Sequence, residues 1–320
     1  MAGGGRGRLR DRYTRRSFLG TAVATTAARF VRADETTQPW EPRWILASAL
    51  YGTFPLAEIL PEVRKTGAGS IDLWPKPHGG QREEIDSLGV EKAREMLAAA
   101  DVTLGGIACY KPGPFNLAGE FAVATKLGAE APVLVTMAPG DGGQKGDDLT
   151  AAIRAFLEKL RPSIAAAEEA GGVIAIENHS HSLLQSPGGI RRFAELATHE
   201  RVGVALAPHH LPQNGPLVAA LAHDLGPKLA FVYAQQHGKG STEKLPKADE
   251  LLQLPGRGPF DFGPLMRALA EMNFAGPIEI FMHPVPRGVP ILGSVAEVTA
   301  EVNRARSHLR AALGGDSPAD

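Results

Sequence analysis

The sequence predicts a (β/α)8 barrel, on three observations. Eight apolar runs of strand length alternate with helical segments at intervals of roughly 25 to 40 residues, the rhythm of a parallel α/β fold. Several of those runs end in carboxylates, amides and imidazoles, and ligands collect at the carboxyl ends of parallel strands. The turn after the first run, Ser48-Ala-Leu-Tyr-Gly52, lacks the glycine fingerprint that a doubly wound open sheet wants at that place.

The elements follow in order. Strands are predicted over 44–50, 69–74, 102–108 and 131–137, with helices over 54–66, 89–100 and 118–127. A glycine- and aspartate-rich loop over 139–148 leads into the strongest helix, 149–170. There Ile153, Phe156, Leu157, Leu160, Ile164 and Ala167 recur at three- and four-residue steps. The fifth strand, Gly172-Val-Ile-Ala-Ile176, is unbroken in its apolar character, as expected of a strand covered on both faces. Strands over 201–207, 229–234 and 277–282 and helices over 188–198, 217–225, 262–272 and 294–313 complete the set. Residues 40–313 hold no linker-like stretch and form one domain, and 314–320 is a polar tail.

The strand ends carry the chemistry. Strand 5 runs into Glu177, Asn178 and His179. Strand 6 is followed by His209 and His210, strand 7 by Gln235, Gln236 and His237, and strand 8 contains Glu279 with His283 just beyond. Two carboxylates and two or more imidazoles on adjacent strands make a site for one divalent ion, Mn²⁺, Mg²⁺, Co²⁺ or Zn²⁺, among which mixed oxygen and nitrogen donors do not choose. Glu279 is the most telling, because a carboxylate flanked by Ile278, Ile280 and Phe281 is costly to bury without a partner. Trp74 is a candidate for stacking on a sugar face, and Lys239 and Arg257 for neutralising substrate oxygens. His78, after two prolines, reads as a surface loop residue.

Composition narrows the class. With 34 basic and 35 acidic residues the chain has no general attraction to nucleic acid or acidic lipid. Its lone Cys109, in an apolar run, reads as a small buried hydrophobe. Residues 1–16 are rich in arginine and glycine, and Thr14-Arg-Arg-Ser-Phe-Leu-Gly20 precedes a weakly apolar stretch. This resembles a twin-arginine export signal over residues 1–33, which implies a periplasmic or otherwise extracytoplasmic protein. No later window is long and apolar enough to span a membrane.

Beyond these residue-level signals, the chain resembles the xylose-isomerase-like TIM-barrel superfamily, in particular its sugar-phosphate isomerase/epimerase branch. The resemblance covers roughly residues 40–313. It rests on the Glu177-Asn-His179 strand end, His210 after strand 6, His237-Gly-Lys239 after strand 7, Pro277-Ile-Glu-Ile280, and the glycine-rich segment 254–262. It implies a divalent metal held by Glu, Asp, His and Glu from strands 5 to 8, with the two glutamates moving protons between adjacent carbons of a ketose or aldose. Carried over, Glu177 and Glu279 are the glutamates, His237 the histidine, and His210 the histidine three residues after the aspartate. Ala207 stands at the aspartate's position and Gly240 ends the family's His-x-Lys-Asp. Either His210 or His209 then fills the vacant ligand place, or the site is weakened or lost. The expected substrate is a small sugar, and the missing glycine-rich anion loop leans toward a free one. A homo-oligomer is compatible with all of this. Two other readings stay open: an exported carbohydrate-binding barrel without catalysis, and a metal-dependent lyase or hydrolase acting on oxidised sugars or glycosides. An apurinic endonuclease, also of this superfamily, would need more ligands and a basic stripe.

Overall fold

A computed structural model describes Met1, residues 39–237 and residues 239–314. Apart from Met1, the expected export signal lies outside the described residues, as do 315–320 of the expected tail. Within residues 40–314 the eight parallel strands close into a barrel in simple sequential order, β1 next to β2 and so on round to β8 beside β1.

The elements alternate as the sequence predicts. They are β1 (Arg43–Ala47), α1 (Leu56–Val63), β2 (Ser70–Leu73), α2 (Gln81–Leu88), α3 (Val90–Ala99) and β3 (Thr103–Ala108). Then come α4 (Ala118–Lys126), β4 (Val133–Met137), α5 (Gly146–Glu169), β5 (Val173–Glu177), α6 (Pro187–Leu196) and β6 (Val202–Leu206). The last are α7 (Gly215–Leu225), β7 (Leu229–Ala234), α8 (Lys247–Glu250), α9 (Gly263–Glu271), β8 (Pro277–Ile280) and α10 (Val295–Ala311). Two helices go beyond the sequence reading. Helix α2 buries only Gln81 and Ile85 and so has no apolar period to detect. It is held by polar contacts instead: Glu84 accepts from Leu56 N at the start of α1, and Arg82 pairs with Glu120 and Asp86. The one-turn α8 is too short to show a period. On α5 the buried stripe is Leu149, Ile153, Phe156, Leu160, Ser163 and Ala167. Ser163 takes an apolar position because its hydroxyl donates to Pro114 O at 2.7 Å.

Three of the helices that follow the site loops begin with a side-chain cap. Ser186, Asn214 and Ser294 accept from Gly189 N, Leu217 N and Glu297 N, satisfying amides that a helix start leaves open. Each cap therefore fixes where a loop at the barrel mouth ends.

Alternation along the strands sets what faces the barrel axis. Small residues on the inner side (Ala47, Gly106, Ala175, Ala205) make room for larger inner neighbours, Asp72, Tyr233, Glu279 and Phe281. At Gly106 a β-carbon would press on Asp72 Oδ1. The lone Cys109 is fully buried, as its apolar run predicts.

The turn after β1 is where backbone crowding is sharpest. Gly52 has φ +57°, and a β-carbon there would run into the backbone of Val289 and Pro290 in the loop after β8. Gly128, with φ +84°, has nothing within 4 Å of such an atom. Gly52→Ala is expected to cost about 2–4 kcal/mol in urea denaturation, against about 1 kcal/mol for Gly128→Ala. Equal losses would mean that the β1 and β8 loops are not packed together as described.

Candidate functional site

A small cavity of about 80 Å³ opens at the C-terminal mouth, lined by Trp74, His78, Tyr110, Glu177, His179, Tyr233, Phe281, His283 and Arg287. Larger surface clefts exist elsewhere, one between α5 and α6 lined by exposed charged residues and one beside the turns that precede β7 and β8, neither of them at the carboxyl ends of the strands.

Glu177, the last residue of β5, is the centre. It is 3% exposed. Tyr110 OH donates to its Oε2 at 2.8 Å, and Tyr110 OH lies 3.1 Å from Tyr233 OH. On the other side Oε1 lies 3.8 Å from His209 Nε2 and 3.7 Å from His210 Nε2. Both imidazoles are carried on the one-turn helix Pro208–His210 that follows β6. Asn178 ties that turn to β5, since its Nδ2 donates to Ala207 O at 3.0 Å and its Oδ1 accepts from Ala207 N at 2.7 Å. Ser180 Oγ lies 2.9 Å from His210 Nδ1, which leaves His210 Nε2 facing inward without a protein partner. Both ring nitrogens of His209 are also unpartnered.

The electrostatics follow from burial. Desolvation raises the Glu177 carboxyl to about 7, against the pull of His179 and of the Tyr110 hydroxyl. Burial lowers His210 to about 3 and His78 to about 4, and holds His209 and His283 well below the usual imidazole range. These four rings are therefore neutral near pH 7, the form that ligates a metal. Burial likewise keeps Tyr110 and Tyr233 protonated.

The expected site residues divide into two groups. Glu177, His179, His209 and His210 come together, and Trp74 and His283 line the same cavity. His78, read as a surface loop residue, lines it too, with its ring 5.1 Å from that of His283. Four others stand elsewhere. His237 lies three residues beyond the end of β7. Gln235 and Gln236 staple the intervening chain to the 253–260 loop through Gln253 Oε1, Leu254 O and Phe260 N. The inward side chain of β7 is Tyr233 instead. Glu279 is fully buried one step below Phe281, which takes the cavity-facing place on β8. Lys239 is exposed, and Arg257 pairs with Glu301 of α10 through Nε at 2.9 Å and Nη2 at 2.6 Å.

The site also contains residues that the sequence reading missed. Asp72 on β2 faces Glu279 across β1, both fully buried, with none of their four oxygens in a well-formed hydrogen bond. Burial, before any other cause, raises Asp72 to about 7 and Glu279 well above the carboxylate range, and the charge on Asp72 pushes Glu279 further. The pair thus holds at least one proton at neutral pH. Asp72 had a signal, for Ile71 and Leu73 flank it as Ile278 and Ile280 flank Glu279. Tyr110, Tyr233 and Phe281 had none, since buried aromatic residues are ordinary core.

Among the described residues, Glu177, His179 and His210 each bring a ligand atom within 4.8 Å of the others. One buried carboxylate, neutral imidazoles and unpartnered inward nitrogens fit a divalent ion such as Zn²⁺, Mn²⁺ or Co²⁺. This set is built on β5 and β6 alone, rather than on four successive strands.

Such a mouth, at the carboxyl ends of eight parallel strands, defines a TIM-barrel protein with one compact carboxylate–imidazole site. The chain belongs to the xylose isomerase-like TIM barrel family, whose profile matches residues 60–297. No curated protein sequence matches it. Among solved structures, the IolI protein with a bound zinc atom is 16% identical, with TM-score 0.63 over 83% of this chain and 97% of its own. D-psicose 3-epimerase from Clostridium cellulolyticum H10, solved with D-tagatose, is 15% identical (TM-score 0.61, 85% of this chain and 99% of that one). The probable 3-DHS dehydratase AsbF from Bacillus anthracis is 10% identical (TM-score 0.59, 81% and 97%). At these identities the likeness is one of fold.

The Asp72–Glu279 pair has a consequence for stability. Each carboxyl keeps its proton in the folded barrel at a pH where the unfolded chain has released it. The folded state therefore binds more protons, and stability falls as pH rises from the ordinary carboxylate range through about 7. Between about pH 5 and pH 8 this loss is expected to be roughly 1–3 kcal/mol. The double variant Asp72→Asn/Glu279→Gln should remove the pair's share and leave only that of Glu177, which urea denaturation at the two pH values reads directly. Parallel pH dependence in both proteins would show that the pair is ionised throughout.

Proposed function

We propose that this barrel is a divalent-metal-dependent isomerase or epimerase that moves a proton between adjacent carbons of a small sugar or sugar-derived hydroxycarbonyl compound. One observation carries the reading. Glu177, buried at the mouth, is bracketed by a tyrosine hydroxyl on Oε2 and imidazole nitrogens near Oε1. A carboxyl raised toward neutrality and hydrogen-bonded to a fixed hydroxyl is suited to taking a proton from carbon and returning it. Membership of the family and the epimerases among its structural neighbours support this class of chemistry.

Glu177, His179 and His210 would hold the ion, with His209 as a further donor. The metal would supply Lewis-acid polarisation of a substrate carbonyl. The chain's own residues do the rest. Tyr110 orients Glu177 and, through Tyr233, connects it to a second hydroxyl at 3.1 Å. Trp74 and Phe281, stacked with ring centres 4.5 Å apart, give an apolar wall that can cover a sugar face and exclude water. Glu279, kept from the cavity by Phe281, serves from below and does not pair with Glu177 as the second acid/base group. Residues 1–33 would direct the protein outside the cytoplasm.

A second reading has its own support. The cavity-facing positions that end β7 and β8 are Tyr233 and Phe281, and Ala207 ends β6. A barrel that binds a carbohydrate without turning it over would tolerate these residues equally well.

Two measurements separate the readings. Wild-type protein loaded with Mn²⁺, Co²⁺ or Zn²⁺ and desalted should retain about one ion per chain, and a His179→Ala/His210→Ala double variant should retain none. In D₂O, substrate protons should exchange with solvent by NMR, with Glu177→Gln slower by about 10³-fold and Tyr110→Phe by about tenfold. Sugar binding without metal retention or exchange would favour the binding protein.

A further inference from the structure

The loop between β8 and α10 brings to the cavity wall a cation that forms no ion pair with a carboxylate among the described residues. Arg287 lines the cavity, and its Nη1 is buried with no hydrogen-bond partner. Arg82, Arg257 and Arg304 pair with carboxylates, whereas Arg201 and Arg306 each bond a backbone carbonyl but leave a buried Nε without a hydrogen-bond partner; of the three described arginines with such an unpartnered nitrogen, only Arg287 lines the cavity. Arg287 shares the cavity wall with Glu177, Tyr110, Tyr233 and the imidazoles of His78, His179 and His283. Its charge helps to keep His78, His209 and His283 neutral.

The loop that carries it is built into the mouth. Gly288, with φ +80°, backs onto Pro77 O so closely that a β-carbon would clash. Ile291 N donates to Leu50 O at 3.0 Å. Gln253 holds His283 from both sides, accepting from its N at 3.1 Å and donating to its O at 2.9 Å.

A guanidinium offers five donors and no acceptor, stays charged, and matches a planar or tetrahedral anion with two parallel bonds. Its desolvation is offset only when an anion arrives. Neutral imidazoles beside it can add hydrogen bonds without competing charge. Building on the proton-transfer reading, we propose that the substrate is an anionic sugar derivative whose carboxylate or phosphate is taken by Arg287, leaving its carbonyl end for Glu177.

The test uses the full metal-loaded chain and a panel of free hexoses and pentoses, their uronates and aldonates, and their phosphate esters. Binding is followed by calorimetry. At least one acid or ester should bind about tenfold or more tighter than its neutral parent. Arg287→Gln should bring it down to the parent's level without weakening the parent, and Arg287→Lys should restore part of the preference. Uronates or aldonates winning would identify a carboxylate, and esters winning a phosphate. No anionic preference, or one that survives Arg287→Gln, would overturn the inference. Glu177→Gln separates the two proposals, since it should slow exchange in D₂O about 10³-fold yet keep the anion preference. An Arg287-dependent preference with no exchange in wild-type protein would refute the proton-transfer reading alone.

Discussion

The site depends on one double hydrogen bond. Asn178, the residue after Glu177, grips the backbone of Ala207 with both ends of its amide. That bond lies where β5 and β6 stop pairing, so it decides how far apart the two strand ends can drift. Glu177 is placed on one side of it and the His209–His210 turn on the other. The clamp, with the Ser180–His210 contact, holds the two imidazole nitrogens within 4 Å of a carboxylate oxygen. Fully buried, Asn178 leaves no polar atom of its amide unpaired, which makes the arrangement inexpensive as well as rigid.

Depth along the barrel explains why only one of the two glutamates that the family resemblance implies lines the cavity. Inward positions recur every second residue, so one step of phase moves a side chain from the cavity wall to the layer beneath. Glu279 and Phe281 are one such step apart, as are Asp72 and Trp74. The upper members, Phe281 and Trp74, stack on one another and face the cavity. The lower members are the two carboxyls. A carboxylate at the upper level would meet substrate, whereas one at the lower level meets another carboxyl and keeps its proton.

Much of this was legible in the chain and some was not. The alternation of strands and helices was plain because apolar runs such as 172–176 and the three- and four-residue steps of α5 are local. That Glu177 belongs to a site was plain for the same reason, as it closes an apolar run with polar residues. The depth of Glu279 was not, since it depends on where β8 stops and on how the strands tilt round the barrel. His237 was misleading because nothing in Gln235-Gln-His237 announces that the two amides will be spent on the 253–260 loop. Tyr110 and Arg287 were invisible: each reaches the cavity wall only through neighbours far away in the sequence.

The lower carboxyls still bear on the mouth above them. Trp74 Nε1 is buried without a hydrogen-bond partner, and its influence lowers both Asp72 and Glu279 against the larger effect of burial. An indole donates only, so a charged member of the pair attracts that N–H. Phe281 stacks on the Trp74 ring at 15° and Tyr110 at 28°. Tyr110 in turn sets the direction of the bond to Glu177 Oε2. The buried acid pair thus lies beneath the aromatic stack whose outer ring, Tyr110, bonds the Glu177 carboxyl.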